Sequence, residues 1–112
     1  MNIAQIAKMA QQMQTQMAKT QEELRDTLID TTAGGGAVRV VITGAQELRS
    51  IEIDPSAVDP GEVEMLQDLV LAAVNDAIGR AKDLERERMA SVAGGMGLPG
   101  IPGGPMIPPP IR

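Results

Sequence analysis

Ile3, Ile6, Ala10, Met13, Met17, Thr20 and Leu24 recur at intervals of three and four. That spacing predicts a helix over residues 2–26 with one apolar stripe, the seam of a coiled coil. Gln, Lys and Glu occupy most other positions, and neither Gly nor Pro interrupts the stretch. A seam of Met and Ala packs closely and adapts its shape.

From residue 27 the period shortens to two. "TLIDTTA" (27–33) is short, β-branched and bounded by Gly. "AVRVVITG" (37–44) puts Val38, Val40 and Ile42 on one face. "ELRSIEID" (47–54) puts Arg49, Ile51 and Ile53 on one face, and Leu48, Ser50 and Glu52 on the other. Three strands joined as hairpins are predicted. Gly34-Gly35-Gly36 could in principle cradle a phosphate. Phosphate loops, however, follow a strand and open a helix, whose N-terminus supplies the amides. Here a strand follows, and no Lys-Ser or Lys-Thr accompanies the glycines. A hairpin turn that needs positive φ accounts for them better.

Asp59-Pro60-Gly61-Glu62 reads as a helix start, with Asp59 as N-cap, Pro60 at the first position and Glu62 closing a capping box. The helix is expected to run to about residue 91. Val63, Leu66, Val70, Ala73, Ala77, Ala81 and Leu84 form its stripe, and Leu69, Val74 and Ile78 widen it. At 1.5 Å per residue it measures about 45 Å, too long for three strands to cover. From Gly94 onward 12 of 19 residues are Gly or Pro, so 93–112 is expected to be a flexible tail with little to bury. The prediction is an α+β fold, α-β-β-β-α, with one domain over 1–92.

Composition changes this picture in two ways. The 112 residues include no Phe, Tyr or Trp, so Leu, Ile, Val, Ala and Met must fill the core. Such a small core favours a chain completed by a second copy. The wide apolar face of the second helix, Leu66, Leu69, Val70, Ala73, Val74 and Ile78, is the expected dimer interface, together with the sheet. There is also no Cys or His, which removes thiolate nucleophiles, imidazole bases and the usual zinc ligands. Glu22 and Glu23 are adjacent and face apart on a helix, so they make a poor acid/base pair. Met9, Met13 and Met17 read as core rather than as copper ligands. No cofactor, metal, enzymatic activity or small-molecule substrate is expected. The longest unbroken apolar run is "LVLAAV", against about 20 residues for a membrane span. The N-terminus is too polar for a signal peptide, so a soluble, cytoplasmic chain is expected.

The net charge is −5, which by itself argues against nucleic acid. Its distribution differs from its sum. Residues 59–79 carry five acids and no base, whereas residues 80–92 carry Arg80, Lys82, Arg86 and Arg88 against three acids. Lys8 and Lys19 precede every acid of the first helix. The bland account of the second cluster is a solvated face with Asp83–Arg86 and Glu85–Arg88 pairs. Arg39 and Arg49 are expected to cover a sheet face.

A long Met/Gln-rich helix, then "GGGAVRVVITGAQELRSIEIDPSAV", then a second long helix, resembles the YbaB/EbfC family of bacterial nucleoid-associated proteins over residues 1 to about 92. The Gly-rich turn, Gly44 and Ile53-Asp54-Pro55 carry the likeness. The resemblance implies a homodimer shaped like tweezers, with sheets meeting at the centre and helix pairs projecting outward. It also implies sequence-tolerant DNA binding that organises the nucleoid and affects gene expression; the missing aromatics remove the stacking platforms that single strands need, so double-stranded DNA is the expected partner. Lys8, Arg80, Lys82, Arg86 and Arg88 are then the candidate phosphate contacts, expected at the arm tips. A recombination-associated protein adaptor and a prefoldin-like holdase are the alternatives without DNA.

Overall fold

The computed structural model describes residues 2–95. Helix α1 spans Ile3–Arg25, strands β1, β2 and β3 span Leu28–Ala33, Val38–Thr43 and Leu48–Ile53, and helix α2 spans Val63–Gly95. The strands form one antiparallel sheet in the order β1-β2-β3, so the α-β-β-β-α reading holds. The predicted tail falls outside the described residues from 96 onward. Up to Gly95 the chain is still helical, beyond the expected boundary at 92.

Local chemistry sets the element ends. Asn2 caps α1 by accepting the Gln5 amide at 2.8 Å, one of the donors a helix start leaves open. Gly34, Gly35 and Gly36 all take positive φ, so the glycines make the β1–β2 turn. Asp59 accepts the Gly61 amide at 2.9 Å and caps a single 3-10 turn over Pro60–Glu62. No side-chain bond from Glu62 back to Asp59 forms among the described residues, and the α-helix begins only at Val63.

The core is a thin layer between the sheet and α2. Val38, Val40 and Ile42 of β2 and Ala73, Ala77 and Ala81 of α2 are all fully buried. Alanine at every fourth position lets the helix backbone approach the strands closely, which is how a chain without rings closes a core. Thr31 of β1 is buried beside them, its Oγ1 3.4 Å from the Ala73 carbonyl and 3.5 Å from that of Val40.

One expectation needs correction: β3 does not alternate as its sequence suggests. The register slips between Val41 and Ile42, so Ser50 faces Val41 but Leu48 faces Ile42. Arg49 is the extra residue of a bulge. Leu48 therefore joins Ile51 and Ile53 on the face of Ile42, Val40 and Val38, not the opposite face. The α2 residues of the expected dimer surface also pack within the chain. Ala73 is fully buried in the chain's own core, and Leu66, Leu69, Val70, Val74 and Ile78 are partly covered by packing against it. The wide apolar face of α2 reflects a helix lying on its own sheet. Among the apolar side chains left uncovered are Leu48, Ile51 and Ile53 of β3, at 43, 45 and 39% exposure, together with Met65 and Leu71 of α2. Helix α2 packs mainly on β1 and β2.

Candidate nucleic-acid interface

The two helices leave the sheet together. Helix α1 arrives at β1 with its C-terminus, and α2 passes over the sheet at Ala73–Ala81 before continuing outward. They meet where the Gln21 amide donates to Glu85 at 3.1 Å, and from there they run side by side in opposite chain directions. Leu24 anchors this root. It is fully buried, and a Cβ on Gly44 would lie 2.8 Å from its Cδ2. Gly44 is thus needed for α1 to sit on the β2–β3 turn. Farther out Met9 and Met13 are half-buried, whereas Ile3 is 84% and Ile6 51% exposed. Met17, between Met13 and the root, is also exposed, so the predicted seam is covered at Leu24 and Thr20 and only in part beyond them.

The structure does not bring the five candidate bases together at a tip. Arg80 lies beside the sheet, where it shares a shallow hollow with Ile29, Asp83, Leu84 and Glu87. Lys82 follows the buried Ala81 and is at the same level. Arg86 and Arg88 stand at the arm root, next to the Gln21–Glu85 contact. Lys8 is 13 residues outward from Gln21, about 20 Å along α1. Gly95 is only about 15 Å along α2 from Glu85, so Lys8 stands beyond the described end of α2. The described residues thus spread the five bases from the sheet (Arg80 and Lys82) through the arm root (Arg86 and Arg88) to Lys8 far out along α1. Sequence reasoning passed over Lys19. It is exposed, two residues from Gln21 and hence level with Arg86 and Arg88. The available signal was its place ahead of all the acids of α1.

Ion pairing divides these bases. Arg80 pairs with Asp76 at 3.1 Å and Arg86 with Asp83 at 3.2 Å. The anticipated Glu85–Arg88 pair is absent. Lys8, Lys19, Lys82 and Arg88 make no ion pair among the described residues. On the sheet Arg39 does cover a face, the one turned away from α2. Its Nε donates to both oxygens of Asp30 at 2.9 Å and its Nη1 to Glu52 at 3.2 Å. The Arg39 hydrogen bonds hold the Asp30 carboxyl below the usual range. The Ser56 amide and hydroxyl do the same for Asp54. Arg49 reaches Glu47 at 3.5 Å and the Arg25 carbonyl at 3.4 Å. Among the described residues no group of three or more Asp or Glu is placed to hold a metal, and no helix is long and apolar enough to cross a membrane.

A family model for the YbaB/EbfC DNA-binding family matches residues 1–96. A nucleoid-associated protein of Chloroflexus aurantiacus is 54% identical over 96 residues, covering 86% of this chain and 96% of its own length. One from Pelotomaculum thermopropionicum is 47% identical over 100 residues, covering 89% of this chain and 95% of its own. Among solved structures, the uncharacterized protein HP0035 from Helicobacter pylori superimposes with a TM-score of 0.71 at 25% identity, covering 78% of this chain and 91% of that one.

Proposed function

This chain belongs to the YbaB/EbfC DNA-binding family, and from that premise we propose that it is a nucleoid-associated protein of the bacterial cytoplasm. In this reading it binds double-stranded DNA as a homodimer, through phosphates and with little base readout, and takes part in no catalysis. The observation that carries the reading is the separation of charge along α2. Glu64 and Asp68 stand at one end with Asp59 and Glu62 just before them, and the bases begin at Arg80. Glu64 and Arg86 are 22 residues apart, about 33 Å along the helix. The screening length at physiological salt is about 8 Å. A phosphate at the arm root therefore lies several screening lengths from that acidic end, while the acids beside it, Glu22, Glu23, Asp83, Glu85 and Glu87, are offset by Lys19, Arg25, Lys82, Arg86 and Arg88. The missing aromatics remove the stacking platforms that single strands use, which favours a duplex.

The proposed dimer surface is the uncovered apolar face of β3, Leu48, Ile51 and Ile53, with the flank of α2 beside it. Two copies then give two arms. If 4 to 6 phosphates are met per dimer, the slope of log affinity against log salt is about −4 to −5. The test is a gel-shift titration of unrelated duplexes at several salt concentrations. Changing Lys82 and Arg88 together to Ala is expected to weaken binding equally on all sequences and to flatten the slope. A double variant with wild-type affinity and slope removes these residues from the site. Wild type that shifts no duplex at low salt favours the adaptor.

One observation favours a holdase as the second reading: Ile3 and Ile6 are exposed at the outer end of α1. Suppression of aggregation of an unfolded client, lost when both are changed to Ser, is its test.

A further inference from the structure

Each of the paired bases on α2 is matched by an acid of its own helix. Arg80 has Asp76 one turn before it and Arg86 has Asp83. Helix side chains meet at separations of three and four. Within that reach the one acid available to Lys82 is Glu85, three residues ahead, and the one acid available to Arg88 is again Glu85, three residues behind. The Asp83–Arg86 pair closes at the same separation in the same helix. Glu85 is therefore placed to neutralise either free base, and it does neither.

Its carboxylate is taken up from outside the helix. Gln21 Nε2 of α1 donates to Oε2 at 3.1 Å, and Gln46 Nε2 of the β2–β3 turn donates to Oε1 at 2.9 Å. Gln46 is unusual in another respect. Its φ is +66°, and among the described residues it alone adopts positive φ without being Gly. A turn position of this kind ordinarily holds Gly or Asn, because a longer side chain is strained there. Gly would serve the turn at least as well. What Gln adds is an amide that reaches Glu85.

We propose that Gln21 and Gln46 form an uncharged clamp that withholds Glu85 from Lys82 and Arg88 and so keeps these two bases free for phosphate. The proposal rests on the reading of this surface as a DNA site. An amide donor satisfies the carboxylate without spending a cation on it. A base that enters the complex unpaired releases its full counterion share, whereas a base that must first leave a carboxylate gives up that attraction in exchange. Gln21 and Gln46 are positioning residues and touch no DNA.

The experiment uses the full chain and a random-sequence duplex. Gln21→Ala with Gln46→Gly removes both amides. Ala suits a helix and Gly suits a positive φ, so the variant is expected to fold with an unchanged or higher melting temperature. Glu85 is then free to pair, and affinity is expected to fall about threefold to tenfold, with the salt slope flattened by about one to two. Adding Glu85→Gln to that variant removes the carboxylate and is expected to restore both. A clamp variant that binds like wild type overturns the proposal. So does a triple variant that stays as weak as the double, because the loss was then structural. Should wild type bind no duplex, the DNA reading fails, and the clamp is judged without DNA. The Arg88 Nε–Hε resonance is expected to move in the clamp variant and to return in the triple variant; a resonance that stays put in both overturns the clamp.

Discussion

The sheet with the overlying part of α2, and the arm made by α1 with the end of α2, exclude water by different means. In the first, six small or β-branched apolar side chains are fully buried, and their partners come from distant parts of the chain. In the second, full burial within α1 is confined to Leu24, with Thr20 nearly so, and both lie at the root. Beyond them Met13 and Met9 are only half-buried and Met17 is exposed. The sheet region is a packed layer that tolerates little change in volume. The arm is a two-helix contact whose flexible thioethers repack. The same division separates charge: four acids, Asp59, Glu62, Glu64 and Asp68, lie at or just before the start of α2, and Arg88 and Lys19, unpaired among the described residues, lie at the arm root.

Cavity formation should break the symmetry between the two regions most strongly. Ile42→Ala is expected to cost about 2–5 kcal/mol, because the hole lies between sheet and helix. Met13→Ala in the arm is expected to cost less than about 1 kcal/mol. Urea unfolding at one protein concentration compares them, and equal losses would show that the arm is packed like the core.

The join is the next place to press. A methyl group on Gly44 must displace Leu24, whose carbonyl would also lie 3.1 Å away. Gly44→Ala is expected to cost about 1–3 kcal/mol. Amide exchange should quicken along α1 while β2 stays protected; uniform quickening would make arm and sheet one cooperative unit.

Ile51→Lys places a charge on the exposed face of β3 that the proposed dimer covers. Light scattering is expected to give half the wild-type mass, with a melting temperature no longer dependent on concentration. A dimer that survives moves the interface elsewhere.

The smallest effect belongs to Asp30. Its depressed pKa means that the Arg39 pair contributes stability above the ordinary aspartate value of about 3.9, and that this is lost as pH falls through the lower folded value. Both groups are exposed, so the contribution is small. In Asp30→Asn the decline of melting temperature in acid should be slightly shallower than in wild type; an identical decline would assign acid sensitivity to other carboxylates.

Much of the fold was legible because its signals are local. The three-four spacing of α1, the alternation of Val38, Val40 and Ile42, and the three glycines that need positive φ are properties of neighbouring residues. The family likeness was legible for the same reason, in the order of those elements. The candidate site was legible only as a set of residue types. Lys82, Arg86 and Arg88 were visible as bases, but the placing of Arg86 and Arg88 at the arm root, with Lys19 level with them, follows from where Gln21 meets Glu85.

By itself, then, the sequence determined the helices, the strands, the turn and the separation of acid from base, since each depends on contacts within a few positions along the chain. Tertiary structure decided the rest. The bulge at Arg49 turned Leu48 onto the uncovered face, because strand register is set by pairing with β2. The broad apolar face of α2 proved to be one half of a core, because what a stripe covers depends on what packs against it. Glu85, three residues from Arg88, went to two amides far away in sequence instead, because a carboxylate takes the donors that folding brings within about 3 Å.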